Sequence, residues 1–372
     1  MDTALQRIID QIQAAAATRT PLCIRGHGSK DFYGEAPSGE VLDTTAYRGI
    51  VSYEPSELVV TVRAGTPLAE LELALAEQGQ YLAFEPPHFD ATAGSGTCGG
   101  MVAAGLSGPS RASVGGVRDY VLGVQMVNGR GQHLTFGGQV MKNVAGYDVS
   151  RLMVGTLGTL GVLTEISLKV LPVAPAEATL KFECDQAEAL RRLNAWGGQP
   201  LPLNASCWVE DAGVGTLFLR LRGAVAAVEA ACRTLGGERQ DNAAVAADWD
   251  ACRDQRLPWF TDRDPAACLW RLSVPQTAPV LALPKDIGAP LVEWHGGQRW
   301  VQAGPEHASA LREAAARVGG YATLFIANND PATLELDRFE PLKAPLDRIQ
   351  QRLKAEFDPA GILNRGRMAA SF

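Results

Sequence analysis

Leu5, Ile8, Ile9 and Ile12 recur at three- and four-residue spacing in "MDTALQRIIDQIQAAAATRT", which predicts an amphipathic helix. Downstream the period shortens. "VLDTT" (41–45), "LVVTVRAGT" (58–66) and "VLTEISLKVL" (162–171) read as strands. "PLAELELALAEQG" reads as a helix, with Thr66 as N-cap, Pro67 at the first helical position and Gly79 past the end. "VLGVQMV-NGRG-QHLTF" predicts a hairpin turning at Asn128-Gly129. Beyond "VLPVAPAEAT" (170–179), whose prolines suggest a linker, "TLFLRLRG" reads as a strand, and "AVAAVEAACRTLGG" and "HASALREAAARVGG" as helices. Hairpins mixed with short helices predict an α+β fold, not a doubly wound sheet. No internal repeat interrupts this pattern.

Composition sharpens the division. Of 39 glycines, 24 lie between Gly26 and Gly161, whereas all seven tryptophans lie between Trp196 and Trp300. The first part is therefore rich in turns and close backbone approaches, and the second is built on bulky side chains. A chain of 372 residues is long for one core, so two domains or one elaborated domain are expected. The net charge of −7 argues against nucleic acid as a partner. Seven cysteines stand singly, with no C-x-x-C pair, which predicts reduced thiols in a cytoplasmic protein and no iron–sulfur or structural zinc site. The N-terminus has acidic residues and no apolar core of the signal-peptide kind. No apolar run approaches the ~20 residues that span a bilayer, so any membrane association is expected to be peripheral.

Three glycine segments carry candidate chemistry. "IRGHGSKDFYG" (24–34) follows the apolar run "PLCI"; "AGSGTCGGMVAAGLSG" (93–108) and "VGTLGTLGVLTE" (154–165) follow later. Each brings backbone N–H groups within reach of an extended, doubly charged ligand. One such loop is commonly an ordinary turn. Three suit a dinucleotide with a diphosphate and a large ring better than a single phosphate. Glycine lets the backbone approach phosphate oxygens, and Ser or Thr hydroxyls add donors without bulk.

These segments, with "VRDYVLGVQMVNGRG", "GGQVMKNVAGYDVSRLMVGTLGTLGVLTEISLKVLP" and the terminal "FDPAGILNRGRM", resemble the FAD-binding E-subunit family of bacterial glycolate oxidases. That family lies in the vanillyl-alcohol-oxidase-like, PCMH-type flavoprotein superfamily. The resemblance covers essentially the whole chain and is densest over 20–172 and 340–370. It implies a FAD-binding domain over 1–172, a smaller α+β cap over 180–335, and a C-terminal segment, 340–372, that returns to the FAD domain. It implies that the backbone of Gly26, His27, Gly28 and Ser29 contacts the FAD pyrophosphate. Thr97, Gly99, Gly100 and Ser107 would then lie along the ribityl chain and flavin ring. Gly155, Thr159, Gly161 and Val162 would line the far side, and Asn364 would approach the flavin. Arg25 and Lys30 supply positive charge, although Arg25 serves equally well as a structural ion pair.

Two departures from the wider superfamily stand out. A carboxylate that many relatives carry in the third segment is replaced by Leu157, and the relatives' Asn-Pro-Gly reads Asn364-Arg365-Gly366 here. In covalently flavinylated relatives the bonded histidine matches Ser29 in this register, not His27, so the FAD is expected to be non-covalent. His27 is then either a solvent-facing side chain, the reading favoured from sequence, or an imidazole bonded to the pyrophosphate.

The resemblance implies a multi-subunit glycolate dehydrogenase. A homologous FAD-containing catalytic subunit would oxidise the 2-hydroxy acid, and an iron–sulfur subunit would carry electrons to an acceptor such as quinone. The complex would sit in the cytoplasm, peripheral to the inner face of the membrane. Relatives that oxidise 2-hydroxy acids carry a His-His…Glu metal cluster in the cap, and this chain has only His295 and His307 there. In "EWHGGQRW" (293–300), Glu293, His295 and Arg299 would share a strand face at i, i+2 and i+6; ordinary polar alternation in a strand is the plainer reading. Asp148 reads as the N-cap of "VSRLM" and Tyr147 as a packing residue, with catalytic roles the alternative. No catalytic residue is assigned. A self-sufficient 2-hydroxy-acid dehydrogenase and a non-catalytic assembly subunit remain open alternatives.

Overall fold

Asp2 opens the first helix by accepting a hydrogen bond from the Ala4 amide, and Thr3–Thr18 follows with Leu5, Ile8, Ile9, Ile12 and Ala15 buried. That stripe joins Leu22, Leu42, Tyr47, Val127, Val162, Ile362 and Leu363 in one core, so residues from both ends of the chain share it. A computed structural model describes residues 2–89, 96–138 and 147–369, which divide into two units. The first unit comprises 1–106, 116–173 and 341–372; the second comprises 107–115 and 174–340.

In the first unit a five-stranded antiparallel sheet runs in the order Ile50–Glu54, Val59–Arg63, Val162–Lys169, Val121–Val127, His133–Gly137. Val60, Val62, Ile166 and Leu168 are buried on adjacent central strands, as β-branched and aliphatic residues favour. Apart from this sheet, Leu22–Arg25 pairs in parallel with Glu40–Asp43, and the first glycine loop fills the excursion between them. Leu22 also bridges Leu363 in parallel, which brings the C-terminal segment beside this strand.

In the second unit an eight-stranded antiparallel sheet runs in the order Glu238–Arg239, Ala176–Glu183, Val214–Gly223, Leu203–Asp211, Leu291–Glu293, Gln298–Ala303, Cys268–Ser273, Tyr321–Ile326. The helices Gln186–Gly197 and Val225–Leu235 pack Leu190, Leu193 and Val228 into one core; Ala308–Arg317 packs Leu311 and Ala315 into another. Five of the seven tryptophans are buried here; Trp196 and Trp259 are half-buried. The α+β expectation holds.

Local expectations fared unevenly. The second helix begins at Leu68, with Pro67 in the cap position; Thr66 Oγ1 instead accepts from Gly49 N and donates to Arg63 O. The expected hairpin forms, but it closes through Asn128 and Gln132, and the left-handed residue is Gly131 (φ 72°), not Gly129. Asn128 Oδ1 accepts from the amides of Arg130 and Gln132, which favours this longer loop over a two-residue turn. Asp148 caps Val149–Leu152 by accepting from Arg151 N, as expected. Tyr147 does not pack: it is 96% exposed. All seven cysteines are free.

The helix Leu346–Phe357 ends on a buried ion pair. Lys354 Nζ donates to Asp358 Oδ2 at 2.8 Å, to Thr159 O at 2.7 Å and to Leu363 O at 2.8 Å. Asp358 in turn accepts from the amides of Ile362 and Leu363. Burial lowers the Lys354 pKa while the Asp358 carboxylate opposes that shift. Lys354→Met removes one partner of a buried pair and leaves three acceptors unmet, a loss on the order of 3 kcal/mol. Urea denaturation of the Lys354→Met variant should show that loss; less than about 1 kcal/mol would refute the assignment.

Candidate functional site

The strand Leu22–Arg25 ends where the chain can carry no side chain. A Cβ at Gly26 would lie 2.5 Å from Thr97 Oγ1, and Gly28 is left-handed (φ 78°) with a Cβ position 2.5 Å from Arg25 Nη2. The resulting turn leaves the amides of Gly26, His27, Gly28 and Ser29 without an acceptor among the described residues. Successive unpaired N–H groups around a left-handed glycine form a concave donor set suited to an anion. His27 adds to it, since its Nδ1 is buried and has no partner. The side chain as a whole is half-buried, with Nδ1 turned inward.

Arg25 pairs with Asp31 at 2.7 Å across the turn, both side chains part-exposed, so it braces the loop; a pair this exposed contributes little to stability. Lys30 Nζ lies 3.4 Å from Ser29 Oγ and 5.6 Å from the centre of the Phe89 ring.

The second segment is described from Gly96 onward; 93–95 lie outside the described residues, as do 139–146 of the run "GGQVMKNVAG". Thr97 caps the short helix Cys98–Ala104 by accepting from Gly100 N at 3.1 Å. Gly99 N donates to Ala64 O at 2.8 Å, and a Cβ at Gly99 would lie 2.8 Å from that of Ala64. These two glycines therefore serve close packing, and their amides are already engaged. The third segment is fastened to the same helix, with Gly155 N on Val102 O and Leu157 N on Ala103 O.

The C-terminal segment ties the first and third turns together. Asn364 Oδ1 accepts from Ile24 N at 2.6 Å, and its Nδ2 donates to Leu157 O at 2.6 Å. Arg367, buried, donates through Nη2 to the carbonyls of Lys30 and Asp31 and through Nη1 to that of Glu35. Its backbone carbonyl accepts from Glu35 N. The loop is thus held from behind by carbonyl contacts, which leaves its amides turned to other use.

One cleft in the first unit is lined by all three turns and the C-terminal segment. It collects Arg25, Gly26, His27, Gly28, Ser29, Lys30, Thr97, Gly99, Gly100, Gly161, Val162 and Asn364 of the residues expected from sequence. Three expected residues do not line it. Thr159 is fully buried, its hydroxyl donating to Thr156 O at 2.7 Å. Gly155 is outside the lining, its amide on Val102 O, and Ser107 belongs to the second unit. Sequence reasoning missed Thr44, Ala64, Ala103, Gly158 and Arg367. Gly158 was legible in principle as a further glycine of its motif; nothing local marks Arg367 as a buried brace.

In the second unit, "EWHGGQRW" is not one strand. Leu291–Glu293 and Gln298–Ala303 pair antiparallel across a 3₁₀ turn, with Trp294 and His295 left-handed (φ 53° each). Glu293, His295 and Arg299 consequently share no strand face; the Gly296-Gly297 pair was the overlooked turn signal. Glu293, buried, accepts from Trp300 Nε1, from Gln298 Nε2 at 3.0 Å and from Cys252 Sγ at 3.2 Å, and burial pushes its carboxyl pKa up. Arg299 donates to the carbonyls of Gly296 and Ala278, with its pKa lowered by burial to about 10. His295 Nδ1 lies 3.0 Å from Ser206 Oγ and Nε2 2.9 Å from Ser113 Oγ. A neutral imidazole satisfies both hydroxyls, and burial lowers its pKa to about 4. Among the described residues no group of three or more His, Cys, Asp or Glu is placed to hold a metal.

Two outcomes test these assignments. Asn364→Ala should lower the stability of the cofactor-free chain by about 2 kcal/mol, because one half-buried and one buried backbone group lose their partners; unchanged thermal unfolding would contradict the bridging role. His295 has a folded pKa of about 4, below the ordinary unfolded value, so the unfolded chain binds more protons between these limits. Its contribution is full above the unfolded pKa and is lost as pH falls toward 4. Stability should thus rise by up to about 3 kcal/mol from pH 4 to 6.5, and His295→Gln should flatten that rise; equal slopes in both proteins would exclude it.

Comparison with known proteins bears on this geometry. Residues 3–137 match the family model of the FAD binding domain. The fold resembles that of an alkyldihydroxyacetonephosphate synthase, with a TM-score of 0.64 at 16% identity over 96% of this chain and 74% of that one. The chain is 32% identical to glycolate oxidase subunit GlcD of Bacillus subtilis (strain 168), over 44% of this chain and 34% of that protein. It is 45% identical to glycolate oxidase subunit GlcE of Escherichia coli (strain K12), over 98% of this chain and 97% of that one. A match of that extent settles the family: the chain belongs with the GlcE subunits of glycolate oxidase, FAD-dependent oxidoreductases built on the PCMH-type fold.

Proposed function

We propose that FAD binds non-covalently in the cleft of the first unit, with its diphosphate on the Gly26–Ser29 turn. The observation that carries this reading is the set of four amides at Gly26–Ser29 that meet no acceptor among the described residues, within a turn where His27 Nδ1 is also buried without a partner there. An anion would satisfy the amides together, and glycine at 26 and 28 lets Thr97 and Arg25 pack directly against the turn. Thr97, Gly99, Gly100, Gly161, Val162 and Asn364 would line the remainder of the dinucleotide. Residues 1–172 and 340–372 would form the cofactor domain and 180–335 the cap.

When bound, FAD supplies the two-electron acceptor needed to oxidise a 2-hydroxy acid such as glycolate. The residues of this chain hold and shield it. Arg367 and Asn364 fix the carbonyls and amides that shape the cleft, so little backbone rearrangement accompanies binding. In the second unit, Glu293 and His295 are already engaged in buried hydrogen bonds, which supports a division of labour within a complex. Substrate oxidation would occur on a homologous FAD-containing subunit, and electrons would leave through an iron–sulfur subunit to an acceptor such as quinone. No helix among the described residues is long and apolar enough to cross a membrane, so attachment to the inner face would come through the complex.

Two measurements test the proposal. Acid precipitation should release the flavin into the supernatant, and His27→Ala should weaken FAD binding about tenfold, the loss of one hydrogen bond to a charged group. Retained affinity in that variant would contradict the His27 contact, and flavin that stays with the precipitate would contradict non-covalent binding. Glycolate should bleach the flavin of the assembled complex and leave that of the isolated chain yellow; bleaching of the isolated chain would instead identify a self-sufficient dehydrogenase.

A further inference from the structure

The second unit holds a cavity of about 590 Å³ that takes no part in the function above. Its wall is drawn from the strands Leu203–Asp211 and Val214–Gly223, the helix Asn242–Arg253 and the turn Pro258–Thr261. Two kinds of surface meet in it. Phe218, Trp249 and Trp259 present aromatic rings over a base of aliphatic side chains and two buried thiols. Glu210, Asp211, Asp248 and Asp262 contribute four carboxylates, and the lining includes no Lys, Arg or His.

Carboxylates on open surface are usually no more than a solvated face. Here four exposed carboxylates rim a half-open pocket with an aromatic wall, and none of the four forms an ion pair among the described residues. The wall is also preset. Trp249 Nε1 donates to Thr179 Oγ1 at 3.0 Å, and Trp259 packs edge-on against Phe260 with ring centres 5.1 Å apart. Trp249 already takes one cation: the Arg220 guanidinium, which is not part of the lining, lies 4.7 Å from the ring centre. Negative charge beside electron-rich rings attracts a cation that is itself partly apolar, since the rings contact its body while the carboxylates meet its charge. A bare metal ion fits less well, because no group of three or more ligating side chains among the described residues is placed to hold one.

We infer that this cavity binds an organic cation, an alkylguanidinium or alkylammonium group, in contact with Trp249 and Trp259 and facing Asp248 and Asp262. The cation reaches the site either as a free small molecule or as a basic side chain of a partner subunit.

Agmatine titrated into the full-length holoprotein, followed by calorimetry and tryptophan fluorescence, tests the inference. The expected result is one saturable site that prefers agmatine to the uncharged N-butylurea by about tenfold or more. The double variant Asp248→Asn/Asp262→Asn, which alters only exposed side chains, should fold normally and weaken agmatine about fivefold or more. Trp259→Leu should weaken agmatine similarly, and Trp259→Phe should retain most of the affinity. Absence of saturable binding, equal binding of N-butylurea, or an unchanged affinity in the double variant would each overturn the proposal. Repeating the titration on the assembled complex separates the two sources. Retained binding identifies a free cation as the ligand; binding lost on assembly identifies a partner's side chain in its place.

Discussion

A backbone amide needs an acceptor, and the four in succession at Gly26–Ser29 meet none among the described residues, which leaves them to water or to an anion. Much of the first unit can be understood as the apparatus that keeps this turn open. The carbonyls of Lys30, Asp31 and Glu35 are held by Arg367, which fixes the course of the loop after the turn. The Arg25–Asp31 pair closes its outer side. Thr97 occupies the space where a side chain at Gly26 would sit, which makes glycine a requirement of packing as well as of ligand approach.

The same logic extends through the returning C-terminus. Lys354 and Asp358 anchor the end of the last helix to Thr159 and Leu363, and Asn364 then spans from Ile24 to Leu157. Two turns more than a hundred residues apart in the chain are thereby fixed by one amide side chain. Long-range closure of this kind favours a preformed site over one that orders on binding. It also explains why the C-terminal residues matter to a cleft built mostly from the first half of the chain.

Much of this was legible in the sequence, for identifiable reasons. The Leu5–Ile12 stripe, the 121–137 hairpin and the strand at 162–169 are local patterns whose period dictates their form. The glycine turns were legible as a group because each combines close approach with an adjacent regular element. What escaped was set by tertiary contact. Arg367 looks like a surface cation until the 30–35 loop lies over it, and the bridge that Asn364 makes between Ile24 and Leu157 has no local signal. Glu293, His295 and Arg299 suggested one strand face because alternation was read through the Gly296-Gly297 turn. The placement of 107–115 with the second unit has no local signal at all.

Hydrogen–deuterium exchange of the full-length chain, with and without FAD, tests the central claim most directly. If the diphosphate lies on the unpaired amides, a peptide covering 26–29 should gain strong protection on FAD addition. Gly99 and Gly100, whose amides are already engaged, should change far less. Unaltered exchange across 26–29 under saturating FAD would show that the cofactor is gripped elsewhere and that these amides have another purpose.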